Sequence, residues 1–342
     1  MPDCSREGLQ VAAILDDPAT KRRLLTGPMR EQCIALPNGR TVAIRESGNL
    51  RGRPVVYLHG FLGSRLECAP ADALATELGL RLVSVDRPGF GLTSSAPPDP
   101  RIDAEDVAAI TQRLGLHQAI VVGVSGASAA ALLSAAHPAV AAPVTVLACP
   151  LGPLEDPRIA VQFSRIVRMA LGISRMAPRA TASVLEGLFR RLAQTQPERL
   201  LQLLCLRFAA ADHEALRCPH WQRAVVNSLS ESFRLGAAGA LRDLLSYSQT
   251  WPRELWQITT PVLIWHGERD TVVPLPCAQA LTERLANARL TIYEHEGHFS
   301  VPLRHMRSLL TSALKVADTA EPTRVSGVEP PPLFKPLPCA PA

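Results

Sequence analysis

Ser125 stands at the centre of residues 119–128, where an apolar strand pattern runs into a helix rich in alanine and leucine. A serine hydroxyl attacks a carbonyl carbon well only when it is openly presented and the next backbone N–H faces the developing oxyanion. A sharp strand-to-helix turn supplies both, and it needs small residues two positions before and after the serine. Gly123 and Ala127 meet that need, although the usual G-x-S-x-G pattern ends in glycine. We interpret Ser125 as a nucleophile.

A serine nucleophile also needs a histidine base and an acid that orients the histidine. Asp270 comes just after the apolar strand pattern at 261–266, and His298 comes after the one at 290–293. Ligand-binding groups of open α/β sheets gather beyond the carboxyl ends of the strands, so these side chains should meet Ser125 at one sheet edge. The sequence therefore predicts Ser125 as nucleophile, His298 as base and Asp270 as acid.

Two other residues compete for these roles. Asp156 follows the sixth predicted strand, and its loop could also reach His298. His295 is the rival base, but it lacks the preceding glycine that His298 has in Gly297.

Alternation and apolar runs predict an α/β core with eight strands. The Asn38-Gly39 pair predicts a hairpin between the first two of them. The strands are expected at 31–36, 41–46, 55–58, 82–85, 119–124, 144–148, 261–266 and 290–293, and helices at 66–78, 102–114, 125–136, 275–285 and 302–316.

Residues 150–258 show no strand pattern, which predicts an all-helical cap inserted in the sheet. Its helices are expected at 159–171, 180–193, 198–211 and 220–247. The core then comprises residues 31–149 and 259–317. Residues 1–30 are interpreted as an appendage with helices at 8–15 and 18–25, and the proline-rich residues 318–342 as a disordered tail.

Five motifs in this order resemble those of the α/β-hydrolase fold family, and they span residues 31–316. The resemblance implies an eight-stranded, mostly parallel sheet, a helical cap after the sixth strand, and an oxyanion hole formed by the N–H groups of Phe61 and Gly126. His59 and Asp86 are interpreted as structural residues that support the oxyanion loop and a turn. The motifs are His59-Gly60-Phe61, Asp86–Gly91, Gly123–Ala127, His266–Asp270 and Gly297-His298.

Composition narrows the possible partners. Aromatic residues make up 4% of the 342 residues, too few for a base-stacking nucleic-acid surface, and the net charge of +5 is scattered along the chain. The eight cysteines include no C-x-x-C pair and no Cys/His ligand spacing, so no metal site and a reduced, cytoplasmic setting are expected. The long uncharged stretch at 114–154 is broken by glycine and proline, so no membrane span is expected.

A serine at this turn favours hydrolysis in which the acyl group of the substrate is transferred to water, and this reaction needs no cofactor. The expected substrate is a small apolar ester, thioester or lactone. An iminopeptidase-like amide hydrolase is an alternative, with Glu186, Glu198 and Glu231 as weak candidates to bind a substrate amine. The same fold could also carry out cofactor-free lyase or C–C bond hydrolase chemistry, or serve as a non-hydrolytic ligand-binding protein. The oligomeric state stays open.

Overall fold

The computed structural model of the protein describes residues 29–320. The helices predicted at 8–15 and 18–25, and residues 321–342 of the predicted tail, lie outside this range. None of the helices in the described range is both long and apolar enough to cross a membrane.

Eight strands form one sheet in the order β1-β2-β4-β3-β5-β6-β7-β8. β2 pairs antiparallel with β1 and β4, and every other pair is parallel, so the predicted eight-stranded, mostly parallel sheet is confirmed. The strands are β1 (Arg30–Ala35), β2 (Thr41–Gly48), β3 (Arg53–Leu58), β4 (Leu80–Val85), β5 (Ile120–Val124), β6 (Thr145–Ala148), β7 (Val262–Gly267) and β8 (Ala288–Tyr293).

The predicted hairpin joins β1 to β2. Gly39 has a φ of +83°, which the turn requires and glycine adopts without steric cost. Leu36 N–H donates to the Arg40 carbonyl at 2.8 Å and closes the loop.

Helices cover both faces of the sheet because its central strands are apolar on both sides. α2 and α3 pack on one face, with Val107, Ile110 and Leu132 in the apolar layer. α1 and α13 pack on the other, where Leu309 and Ala313 are buried. The core helices are α1 (Asp72–Glu77), α2 (Pro100–Leu114), α3 (Ser128–Ala136), α12 (Pro276–Arg284) and α13 (Ser300–Thr319).

The chain between β6 and β7 contains helices and no strand, and residues 150–258 are termed the helical insert below. Its helices are α4 (Pro157–Ala160), α5 (Arg165–Met176), α6 (Pro178–Val184), α7 (Arg191–Thr195), α8 (Pro197–Cys205), α9 (Ala210–Ala215), α10 (Pro219–Ser232) and α11 (Ala238–Tyr247), with a π-helix at Leu185–Arg190 between α6 and α7.

Several predicted helices were wrong in extent. The stretch predicted at 220–247 is broken between α10 and α11, where Gly236 has a φ of +130°. The helix predicted at 66–78 begins only at Asp72, after a 3₁₀ turn that contains Pro70, because proline has no N–H to continue a helix. The stretches predicted at 159–171 and 198–211 are likewise each two helices.

The helical insert is joined to the core by buried polar contacts as well as by apolar packing. Arg87 Nη1 donates to Asp243 Oδ1 at 2.8 Å, and Arg242 Nη2 lies 2.5 Å from Asp103 Oδ2. All four side chains are at most 4% exposed. Removing one member would leave a buried charge without its partner, so these pairs fix where the insert sits.

Candidate active site

Ser125 lies on the sharp turn that the sequence predicts. β5 ends at Val124, a 3₁₀ turn covers Ser125–Ala127, and α3 begins at Ser128. Ser125 has a φ of +53°, a conformation that costs a non-glycine residue roughly 1–3 kcal/mol and is tolerated only where the surroundings enforce it. A Cβ at Gly123 would lie 2.5 Å from Ala131 Cβ, so glycine there lets the helix cross the strand closely.

The backbone around Phe61 and Gly126 lies against the serine. Gly126 is the next residue, and a Cβ at Gly60 would lie 3.2 Å from Ser125 Cβ. Tyr247 of α11 covers this region. Its hydroxyl occupies the space that a side chain at Gly126 would need, and its ring meets that of Phe61 edge to face, with centroids 6.1 Å apart.

His298 joins the serine to an aspartate. Its Nε2 lies 3.0 Å from Ser125 Oγ, and its Nδ1 lies 2.7 Å from Asp270 Oδ2. The three residues are 6–8% exposed, so bulk water screens these contacts little. The structure thus brings together the three residues that the sequence singles out.

The charges of this group support one another. Burial alone would disfavour the imidazolium, but the charge of Asp270 and its hydrogen bond outweigh burial and raise the pKa of His298 above its usual value. Burial would also raise the pKa of Asp270, yet the charge and hydrogen bond of His298 lower it. Asp270 therefore stays ionised and holds Nδ1–H, which leaves Nε2 to accept a proton.

Asp156 and His295, the alternative acid and base, make contacts outside the group formed by Ser125, His298 and Asp270. Asp156 accepts the Arg158 N–H at 2.9 Å at the start of α4 and pairs with the Arg158 guanidinium at 2.7 Å. The His295 side chain is 71% exposed and its Nδ1 lies 4.0 Å from Glu268 Oε2. Neither contacts Ser125 within the described part of the chain.

Backbone amides and a second histidine hold Asp270. Its Oδ1 accepts the N–H groups of Val272 and Val273, both at 2.8 Å. His266, fully buried, has Nε2 3.4 Å from Asp270 Oδ2 and donates to the Val273 carbonyl at 2.9 Å. His266 is the first residue of the His266–Asp270 motif, which is the sequence signal that marks it.

Cys149, His266 and Asp270 present potential metal ligands within 4.8 Å of one another. The oxygens of Asp270 and Nε2 of His266 are already engaged in the hydrogen bonds described above. Burial raises the pKa of the Cys149 thiol well above its usual value, so the thiolate that binds metals is disfavoured. This donor set does not favour a metal.

The loop that carries Phe61 is held by buried polar groups. The His59 Nε2 accepts the Arg87 N–H at 3.0 Å, so Nδ1 carries the proton and donates to the Gly60 carbonyl at 2.8 Å. Burial, reinforced by the charge of Arg87, lowers the pKa of His59 well below its usual value. Glu67 accepts the Gly60 N–H at 3.2 Å. These contacts support the interpretation of His59 as a structural residue.

Asp86 holds the neighbouring turn. Its Oδ1 accepts the Arg65 N–H at 2.6 Å and its Oδ2 accepts the Leu92 N–H at 3.1 Å. Burial raises the pKa of Asp86 to about 6 even though the Arg65 charge opposes that shift. Asp86 is thus engaged with backbone, as a structural residue should be.

Asp212, in α9 of the helical insert, holds the backbone of His298, and sequence reasoning missed it. One oxygen accepts the His298 N–H at 3.0 Å, and the other accepts those of Phe299 and Ser300 at 2.8 Å. Asp212 is fully buried, and its carboxylate fills the space that a side chain at Gly297 would need. A helical position 86 residues from His298 gives no local sequence signal for this contact.

Asp212→Asn should lower the pKa of His298, because the Asp212 charge favours the imidazolium. In an NMR titration of ¹⁵N-histidine protein, the His298 signals should therefore change at lower pH than in wild type. Asp106→Asn, which removes a buried partner of Arg40, is the matched control and should leave the His298 titration in place. An unshifted His298 titration in folded Asp212→Asn would show that this charge does not act on the imidazole.

Known proteins with similar sequences and structures include hydrolases and haloperoxidases. A non-heme chloroperoxidase of Streptomyces lividans is 27% identical over 278 residues, which cover 78% of this chain and 92% of that protein. An esterase (EaEST) from Exiguobacterium antarcticum superposes with a TM-score of 0.58 at 20% identity, covering 85% of this chain and 100% of that one. A bromoperoxidase from Bacillus anthracis gives a TM-score of 0.61 at 19% identity, covering 84% and 100%.

The sequence model of the alpha/beta hydrolase fold matches residues 53–304, which is most of the chain. The match extends from β3 into α13 and includes Ser125, Asp270 and His298. The resemblance seen in the sequence motifs is thereby confirmed, and the chain belongs to the α/β-hydrolase fold family.

Proposed function

We propose that the protein is a serine hydrolase that cleaves an ester bond of a small apolar acyl substrate, with thioesters and lactones as close variants. The observation that carries the proposal is the continuous hydrogen-bond chain from Ser125 Oγ through His298 to Asp270, at 3.0 Å and 2.7 Å. This chain is the arrangement that activates a serine hydroxyl. The esterase-like fold neighbours agree with it.

In the proposed first step, Ser125 Oγ attacks the ester carbonyl carbon while its proton passes to His298 Nε2. Asp270 accepts the hydrogen bond from Nδ1–H and stabilises the imidazolium. The carbonyl oxygen becomes an oxyanion, for which we propose the N–H groups of Phe61 and Gly126 as donors. His298 then returns the proton to the leaving alcohol, and the acyl group stays on Ser125.

In the second step, water gives a proton to His298 Nε2 and attacks the acyl carbonyl. Collapse of the second tetrahedral intermediate releases the carboxylic acid and restores the Ser125 hydroxyl. The chemistry needs no cofactor. A cleft beside Gly126 and Tyr247 is lined by the apolar Leu151 and Trp251 and also by ion-paired side chains, among them Arg87 and Asp243.

The contacts of Glu186 and Glu231 do not favour the amide-hydrolase alternative. Glu231 pairs with Arg65 at 2.7 Å, and Glu186 pairs with Arg190 and accepts the Ala237 N–H. Glu198 is exposed on α8. A substrate amine would have to displace the first two from their partners.

Replacing each candidate acid, Asp270 or Asp156, tests which carboxylate orients His298 in the proposed reaction. Asp270→Asn should reduce kcat for p-nitrophenyl acetate and butyrate by roughly 10³- to 10⁴-fold, because asparagine presents the wrong hydrogen-bonding group to the imidazole. Asp156→Asn is the matched control, since Asp156 caps a helix and pairs with Arg158, and should change kcat by less than about threefold. The reverse result would move the acid to Asp156, and a wild-type protein without esterase activity would favour the ligand-binding alternative.

The chloroperoxidase relative favours a second acceptor for the acyl group. Hydrogen peroxide would attack the acyl carbon of acyl-Ser125 in place of water and give a proton to His298. Collapse of the intermediate breaks the bond to Ser125 Oγ, returns that proton to Oγ and releases the acyl group as a peracid. With acetate, peroxide and bromide, the wild type should then brominate phenol red and Ser125→Ala should not. Bromination that persists in Ser125→Ala would rule out this route.

A further inference from the structure

α5 of the helical insert carries apolar side chains on the face that points away from the protein. Ile166, Met169, Ile173 and Met176 follow one another at intervals of three and four residues, so they line one side of the helix. They are 59%, 62%, 50% and 89% exposed, far more than such residues usually are. Ser174, on the opposite side, is buried.

Arginines run along one edge of this stripe. Arg165, Arg168 and Arg175 lie at intervals of three and seven residues, and all three are exposed. The stripe and these arginines are termed the basic apolar face below. A helix with a wide apolar side, arginines beside it and little net hydrophobicity has the pattern of helices that lie in the surface of a membrane.

The positive charge around the basic apolar face favours an anionic partner. Residues 157–196 contain seven arginines, no lysine and one acidic residue, Glu186. Arg158 and Arg190 are ion-paired, and the other five make no ion pair within the described part of the chain. Two copies of this face would bring like charges together, which disfavours self-association, whereas an anionic surface would attract it.

We propose that the basic apolar face binds the surface of an anionic lipid bilayer. The apolar side chains would enter the acyl boundary while the guanidinium groups bind lipid phosphates, which they match in geometry. Binding of the bilayer by this face does not require the proposed reaction. Bilayer binding by α5 would act on the candidate active site through α11. α5 packs against α11, and α11 carries Tyr247, which lies beside Gly126.

Sedimentation of the full-length protein with large unilamellar vesicles tests the proposal. Wild type should bind vesicles of phosphatidylcholine and phosphatidylglycerol at 7:3, bind pure phosphatidylcholine much more weakly, and lose binding as salt rises. Arg168→Glu/Arg175→Glu should weaken binding at least about tenfold, since the attraction of each arginine to the bilayer is replaced by repulsion. Met169→Ser/Ile173→Ser should weaken it without changing the salt dependence.

The controls carry matched changes outside the basic apolar face. Arg51→Glu/Arg289→Glu alters the net charge equally at exposed positions of the core, and Ile292→Ser removes a 43%-exposed apolar side chain from β8. Both should bind as wild type does, and circular dichroism melts should show that every variant is folded. Absence of vesicle binding, or equal binding by face and control variants, would overturn the proposal. So would a wild-type dimer that Met169→Ser/Ile173→Ser converts to monomer, because the face would then belong to a second copy.

Discussion

The hydrogen bonds of His298 to Ser125 and Asp270 require three loops to hold their side chains within a few tenths of an ångström of one another. The parallel sheet meets this requirement, since β5, β7 and β8 all end at one edge and the ladder fixes their register. Each loop is then held locally. Ser125 is held by a strained turn with glycine at 123, and Asp270 by two backbone amides. The third loop, which carries His298, depends on the helical insert.

The helical insert therefore helps to position the residues of the candidate active site. Asp212 of α9 accepts three consecutive N–H groups at the start of α13, and Tyr247 of α11 lies against Gly126. Tyr247 also donates to Asp243, which is paired with Arg87 of the core. A movement of α9 or α11 would therefore change the position of His298 or the space over Gly126. If α5 binds a bilayer, its packing on α11 links the membrane to that same space.

The sequence was sufficient for the parts of the structure that follow from local pattern. Alternation and apolar runs predicted all eight strands, and Asn38-Gly39 predicted the hairpin. The positions of Ser125, Asp270 and His298 just after strand ends predicted that they would meet. Helix breaks within the insert were missed, because Gly236 and the capping residue Ser164 stand in stretches that are otherwise typical of helices. Asp212 and Tyr247 were missed for a different reason. Their partners lie far away in sequence, and only tertiary packing brings them together.

The claim that Ser125 is an activated nucleophile is tested most directly by labelling with a fluorophosphonate at neutral pH, followed by peptide mass spectrometry. Phosphonylation requires a serine whose proton is taken by a base, and it requires no knowledge of the natural substrate. We expect one adduct per chain, on Ser125, that forms much more slowly in His298→Ala. A folded wild-type protein that gains no adduct, or gains it on another residue at a rate independent of His298, would contradict the account.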